Sequence, residues 1–561
     1  MAAEDLPSEF DVVILGTGLA ESVVAAACSR VGQRVLHLDR SVLTAGGVTA
    51  SCLCVQEKLL RLQLGQLHFQ WPAHLDTAAA GQYGTREEEE RRGADKGQAA
   101  QTAGEEPEAE SHPHAAPSQS EPAKKKLSYA QLVKEGRRFN IDLVSKLMYS
   151  RGSLVDLLIK SNVSRYAEFK NVTRILTYRH GNVEQVPCSR ADVFASRQLS
   201  VVEKRKLMRF LTSCVEETEE QTGEDSLGEN LQHFVLHSIA MVTADTPTEE
   251  GLASTRQFLR CLGRYGNTPF LFPVYGLGEI PQCFCRMCAV FGGIYCLRHS
   301  VHCLLVDKHT NRCKAVIDSR GQRISCSHFV AEASYVGAER KKVATPTRFL
   351  SRAVLITDSS VLASDSEQQV SVVTVPPIAA GCPAVKMVEL CPSTMTCIPG
   401  TYLVHLTCQS IGSAYQDLSP LVTRMFRTVE SHDKETRPAV LWCLYFNMAD
   451  GSGTEVEGHD LPSNVYVCSG PDGSLGHEHT IKQAEFIFHK ILPDEEFCPP
   501  APNPEDIIYD GETTAATGDT QEEEQSPQKQ EEEETKEEEE TKEEEETKEE
   551  TKEEEHLQTE E

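Results

Sequence analysis

The sequence predicts an α/β fold: a multi-sheet domain built from three chain segments, an all-helical domain inserted into it, and a disordered acidic insertion and tail. Three observations predict this. Residues 10–39 read as strand, Gly-x-Gly turn, helix and strand. Residues 187–245 read as helical between stretches of mixed pattern. Residues 76–126 and 506–561 are polar and nearly free of large apolar side chains, so they have nothing with which to build a core. The boundaries that follow are 1–75, 127–186 and 246–505 for the multi-sheet domain and 187–245 for the helical one. Residues 76–126 are then the disordered insertion and 506–561 the disordered tail.

The first element carries the most information. Val12-Val-Ile-Leu15 is a short buried strand, Gly16-Thr-Gly18 a tight turn, and Ser22–Val31 an Ala-rich helix. Val35-Leu-His-Leu-Asp39 is the next strand, and it ends in an acid 23 residues after Gly16. That context is the one in which a Gly-x-Gly match signals a dinucleotide-binding fold. The place of the third glycine, which lets helix and strand pack closely, holds Glu21. A carboxylate in the first turn suits the helix dipole but competes with a pyrophosphate for the same amides and repels it. The expectation is therefore a flavoprotein-like fold whose cofactor site at Gly16, Gly18, Glu21 and Asp39 is vestigial, with no cofactor. Val465–Gly473 again reads as strand and glycine turn, followed by helix through Phe486, a unit with which flavoproteins often close their sheet.

Between these ends, Ile141–Lys160 is dense in Leu, Val and Ile and is expected to contain buried helices. Ile175–Val186 predicts a hairpin around His180-Gly-Asn. Ser200-Val-Val-Glu203 is a capping box, and the helix behind it is expected to turn Leu207, Leu211, Cys214 and Val215 to one face. A second helix carries Leu231, Phe234, Val235, Ile239 and Val242. In the tail, Glu-Glu-Glu-Glu-Thr-Lys recurs with a six-residue period that does not match the coiled-coil heptad and offers no apolar seam.

The net charge is −30, and residues 521–561 hold 22 acids against 5 lysines, which leaves −13 for everything else. An acidic body argues against nucleic acid and anionic membrane as default partners, and suits a partner with basic surface. The N-terminus lacks a secretory pattern, and no apolar run approaches the ~18 residues of a membrane span. With 20 cysteines scattered in apolar strings, this predicts reduced, buried thiols in a cytoplasmic protein. Cys283-Phe-Cys285-Arg-Met-Cys288 has no second Cys or His pair at ligand spacing, so no metal is expected. No Gly-x-Ser-x-Gly, His-Glu-x-x-His or P-loop string is present to suggest independent catalysis.

Three strings carry a resemblance. They are Leu6-Pro-Ser-Glu-Phe-Asp-Val-Val-Ile-Leu-Gly-Thr-Gly-Leu, Gly136-Arg-Arg-Phe-Asn-Ile-Asp-Leu-Val-Ser-Lys-Leu, and the long run Gly263–Arg286. Together they resemble the Rab escort and Rab GDP-dissociation-inhibitor superfamily over nearly the whole chain outside insertion and tail. The resemblance implies a flavoprotein-like fold that lost its cofactor. It also implies a non-catalytic escort that binds GDP-bound, unprenylated Rab GTPases and presents them to the Rab geranylgeranyltransferase α/β heterodimer. The escort then carries the geranylgeranylated product to membranes, making transient contact there. The insertion, the extension beyond residue 500 and the Phe194 region favour an escort over the compact inhibitors, which only recycle lipidated Rab. A flavin-dependent oxidoreductase is the rival from another class, and Glu21 speaks against it.

Glu279, Gln282 and Arg286 fall at i, i+3 and i+7 of a helix expected over Ile280–Val290, with Ile280, Phe284 and Met287 on its core side. By pattern alone this polar face could equally be an internal ion pair that orients the helix; the resemblance implies that the glutamate and arginine contact Rab. Arg264 and Tyr275 are expected neighbours of that platform. Phe194, and Arg205 on a helix made basic by Lys204, Lys206 and Arg209, match the family's docking site for the transferase α-subunit. Without the resemblance they would read as a core aromatic and a solvated basic face. Ser41–Gly47, where the family has a Tyr-Tyr-Gly-Gly motif, is one residue longer and has no tyrosine, so no Rab contact is carried over to it. After Val215 the chain is shorter than the family, in the domain where a groove for the lipid is expected.

Overall fold

The computed structural model describes residues 6–500 apart from 41–48, 51–66, 71–128, 217–226, most of 337–347, 365, 429–436, 454, 455 and 457. The expected insertion and tail, the tyrosine-less loop and the shortened segment after Val215 lie outside the described residues. The first strand, Glu9–Leu15, runs parallel to Val35–Asp39 on one side and to Arg323–Glu332 on the other. Val12 stands opposite Val35 and His328. Val12, Val13 and Ile14 are all fully buried, because the sheet is covered on both faces and the strand has no solvent side. Ile294–Leu297 extends the parallel part beyond Val35–Asp39, and Val465–Cys468 pairs parallel with Arg323–Glu332. The antiparallel strands Arg312–Asp318 and Val301–Asp307 complete this sheet of seven among the described residues.

The Leu19–Arg30 helix is buried from Ala20 through Ser29. Its alanines allow the Glu279–Val290 and Glu478–Ile491 helices to approach it, and all three share one core with Val12, Ile14 and Val330. Small side chains at such a junction permit close backbone approach without leaving voids. This layer therefore holds the Glu279–Val290 helix rigidly over the first βαβ unit.

A second sheet of eight strands ends in the expected hairpin, Arg174–Arg179 with Asn182–Gln185. His180 and Gly181 both have positive φ, 48° and 85°. Left-handed geometry at both central residues is what a two-residue hairpin turn needs to follow the strand twist.

The helical stretch begins with two capping boxes, Ser189 with Asp192 and Ser200 with Glu203. In the Val201–Glu216 helix Leu207, Leu211 and Cys214 are buried, but Val215 is 53% exposed. It lies at the edge of the stripe and not on it. Leu231, Phe234 and Ile239 are buried, whereas Val235 is only partly buried and Val242 lies beyond the helix end. Residues Phe234–Ile239 form a π-helix, whose wider turn breaks the 3.6-residue register on which the expectation rested. Leu207, Leu211, Leu231 and Phe234 share a core with Val354, Ile356, Val372 and Trp442 of the eight-stranded sheet. A further helix, Thr248–Arg260, adds Phe258 to the same core.

Residues 141–160 hold one helix, Ser153–Lys160, preceded by two short strands, Ile141–Asp142 and Met148–Tyr149. Tertiary anchors override the helical composition there. The Asp142 carboxylate accepts from the Leu277 amide at 3.1 and 3.0 Å. The buried Lys146 ammonium donates to Asp472, to the Ser474 carbonyl and hydroxyl at 3.0 and 2.9 Å, and to the Gly476 carbonyl at 2.8 Å. The described cysteines are free thiols, mostly buried; Cys303 is exposed.

Candidate functional site

At the mouth of the first βαβ unit, the Gly16–Gly18 turn has the expected shape, with Gly16 at φ 115°. The space that this turn offers a pyrophosphate elsewhere is filled by side chains. The Glu21 carboxyl lies directly against Gly18, and Glu332 Cβ and the Tyr335 ring stand over Gly16. Asp39, where a ribose would be held, accepts from the Thr17 hydroxyl at 2.5 Å and the Tyr335 hydroxyl at 3.2 Å. Glu21 is buried with Oε1 lacking a hydrogen-bond partner, and burial, then the nearby Glu332 charge, push its pKa up to about 8. His37, held neutral by burial at about 4, donates through Nε2 to the Gly16 carbonyl at 2.5 Å. Buried carboxyls in place of open amides do not fit a dinucleotide, so the residues present argue against a flavin or nicotinamide here.

The Glu279–Val290 helix presents the expected division. Ile280, Phe284 and Met287 are buried, while Gln282 and Arg286 are exposed and Glu279 is half-buried. Cys283, Cys285 and Cys288 also face inward, with Cys285 donating to Ser22 Oγ and Cys288 beside Ser29. Among the described residues no ion pair joins Glu279 to Arg286, no carboxylate pairs with Arg286 and no cation with Glu279. Instead the Arg286 guanidinium lies over the Tyr166 ring, 4.5 Å from its centroid. Burial raises the Glu279 pKa above the ordinary carboxylate value. Tyr166 was not legible as part of this face, since it comes from a separate turn more than a hundred residues earlier.

Tyr275 lies just ahead of this helix, 49% exposed and at φ 72°. Its amide donates to the Thr394 carbonyl at 2.9 Å, and the next residue but one, Leu277, is fixed by Asp142. Arg264 is engaged elsewhere: it donates to the Ser150 carbonyl at 2.8 Å and to Asp156 at 3.3 Å, and stacks on Tyr265. It braces the start of the Ser153–Lys160 helix.

The second candidate face is at the helical stretch. Phe194 lies in the last turn of the Arg190–Ala195 helix and is 68% exposed. Lys204 Nζ donates to the Phe194 carbonyl at 2.6 Å, which pins this helix to the start of the Val201–Glu216 helix. Arg205 is exposed on that helix, beside the exposed Val201 and Val202. The result is an aromatic ring and a guanidinium on two helices tied together by one hydrogen bond. A cleft of about 360 Å³ lies nearby, between the hairpin and residues 362–369. Its lining of Arg174, Gln185, Asp192, Thr268, Ser364 and Gln369 is too polar to shelter an apolar chain.

Comparison with known proteins adds the following. Residues 6–66 and 123–378 match the family model described as GDP dissociation inhibitor, and residues 350–473 match RAE1/2 domain I, C-terminal region. The chain is 46% identical to the rat protein named Rab proteins geranylgeranyltransferase component A 1, over 91% of this chain and 95% of that one. It is likewise 46% identical to the mouse component A 2, over 91% of this chain and 100% of that one. Among solved structures, Rab GDI from Plasmodium falciparum superimposes with a TM-score of 0.58 at 17% identity, covering 88% of this chain and 100% of the other, and so shares the fold.

Proposed function

Because the chain belongs to the family of Rab geranylgeranyltransferase component A and Rab GDP-dissociation-inhibitor proteins, we propose that it is a non-catalytic escort for Rab GTPases. It binds the GDP-bound, unprenylated Rab and presents it to the geranylgeranyltransferase α/β heterodimer. It then carries the lipidated product through the cytoplasm to a membrane. The observation that carries this reading is the outer face of the Glu279–Val290 helix: its apolar side is buried, and Arg286 is exposed, braced on Tyr166 and without a carboxylate partner among the described residues. A charged group held in one orientation on a rigid element is suited to recognise a folded partner. Gln282 and Glu279 share that face.

Phe194 and Arg205 favour an escort over a recycling inhibitor. An exposed aromatic and an exposed guanidinium on two helices joined by the Lys204–Phe194 bond are the composition that interface hot spots favour, and we assign this face to the transferase α-subunit. Holding both partners on one body raises the effective concentration of the Rab tail cysteines at an active site that the other protein supplies. Membrane contact is transient in this reading; among the described residues no helix is long and apolar enough to cross a membrane.

Reconstituted prenylation of a Rab by the purified heterodimer, with and without this chain, tests the proposal. Lipid transfer that depends on the chain is expected. Binding of Rab without any support of transfer would favour the inhibitor-like carrier, and a flavin absorption band in the purified protein would overturn both.

A further inference from the structure

Eight described residues other than glycine have positive φ, and two of them are large and half-exposed, the amide of one bonding to the residue before the other. They are Tyr275 at φ 72°, 49% exposed, and Met395 at φ 58°, 50% exposed. Left-handed backbone is unfavourable for such side chains, and Gly or Asn would occupy it with less strain. The fold nevertheless holds both residues there. The Tyr275 amide donates to the Thr394 carbonyl at 2.9 Å, the Met395 amide to the Pro392 carbonyl at 2.9 Å, and Asn140 Nδ2 to the Met395 carbonyl at 2.9 Å.

Nothing in the packing accounts for these side chains. Each leaves half its surface in solvent, and among the described residues the Tyr275 ring has neither an aromatic nor a cationic partner. Strain held in place by surrounding structure, with no return in burial, points toward function. Their position says which. Val274 donates to the Glu168 carbonyl at 2.9 Å, two residues beyond Tyr166, and Glu279 donates to the Gly276 carbonyl at 3.2 Å. The backbone around Tyr275 is therefore tied to Glu168, to the start of the Glu279–Val290 helix and to Thr394, the neighbour of Met395.

We propose that Met395 and Tyr275 form an apolar anchor that extends the charged face of the Glu279–Val290 helix, and that its occupant is the folded GTPase domain of the Rab bound there. This rests on the Rab-platform reading above. The charged face sets orientation, and the two apolar side chains supply the desolvated contact that a polar helix face lacks. Both side chains stand half in solvent at these left-handed positions.

The test uses full-length protein and a fluorescent, unlipidated, GDP-bound Rab. Met395→Gly, Met395→Asn and Tyr275→Gly each remove the apolar group while easing the backbone, so a merely structural role predicts unchanged or higher melting temperatures and unchanged affinity. The proposal expects about tenfold or greater weakening with melting temperatures no lower than the parent. Affinity within twofold of the parent, while Arg286→Ala weakens binding, would overturn the anchor and leave the platform standing. Loss of binding accompanied by a lower melting temperature in both Met395 variants would also overturn it. Weakening by the Met395 variants with Arg286→Ala silent would support the anchor and overturn the helix-face reading. A change in self-association in place of Rab affinity would assign the patch to a second copy of the chain and overturn the proposal.

Discussion

Arg286 rests its guanidinium on the ring of Tyr166 at 4.5 Å and has no carboxylate partner among the described residues. A cation held by an aromatic face keeps its charge and its outward hydrogen-bonding edge available, whereas one held by a carboxylate would present neither.

Replacing Arg286 or Glu279 by alanine is accordingly expected to weaken binding of GDP-bound Rab by roughly thirtyfold, about 2 kcal/mol, without lowering the melting temperature. Tyr166→Leu should give a smaller loss, since it frees the guanidinium without deleting it. Fluorescence titration reads all three. Unchanged affinity in the Arg286 and Glu279 variants would remove the helix from the binding surface.

Phe194→Ala and Arg205→Ala are expected to abolish recruitment of the transferase while leaving Rab binding intact. Phe194 is 68% exposed, so its truncation removes little of the core that the helices share with the eight-stranded sheet. Pull-downs of Rab and of the transferase by the same variant distinguish the outcomes. Parallel loss of both partners would mean that the change is structural.

Deleting residues 521–561 should leave support of prenylation unchanged at moderate salt. The segment carries −17 and has a single large apolar residue, Leu557, with which to pack. A prenylation rate several-fold below the full chain would reveal a partner for it.

The Glu21 carboxyl keeps its proton in the folded protein up to about pH 8, whereas an unfolded chain releases it near 4.5. The folded state therefore binds the extra proton between those values. This contribution to stability is complete below pH 4.5, falls as pH rises toward 8, and is lost above it. Glu21→Gln should be more stable than the parent at pH 9, on the order of a few kcal/mol at most, and the gap should narrow at pH 6. Urea midpoints at the two pH values measure this, and a pH-independent gap would contradict it.

The first βαβ unit, the hairpin and the closing Val465–Cys468 strand of the parallel sheet were legible because each is specified locally. Val12–Leu15 has no polar side, and His180-Gly181 tolerates the left-handed turn that its strands require. The Glu279–Val290 face was legible by spacing alone. What supports it was not. Tyr166, Asp142 and Thr394 reach it from three distant parts of the chain, and no periodicity in the helix announces them. Two helical errors have the same origin. Residues 141–149 have helical composition, but Asp142 and Lys146 are drawn into remote partners, and the π-turn at Phe234–Ile239 is set where Ser238 meets Thr374 of the sheet. Arg264 matches the family string, yet its guanidinium is spent on Ser150 and Asp156.

The Lys146 ammonium has one further consequence, for the order in which the chain can mature. Its partners lie 326 to 330 residues downstream, and the first strand likewise waits for Arg323–Glu332. During synthesis Lys146 emerges tens of seconds before the partners that will bury and neutralise it, at ~5–20 residues per second. Contacts of such long separation slow folding and leave apolar strands exposed in the interval. A product truncated before residue 476 leaves Lys146 without the partners that neutralise it in the core, and is expected to misfold and be degraded and not to act as a weaker carrier.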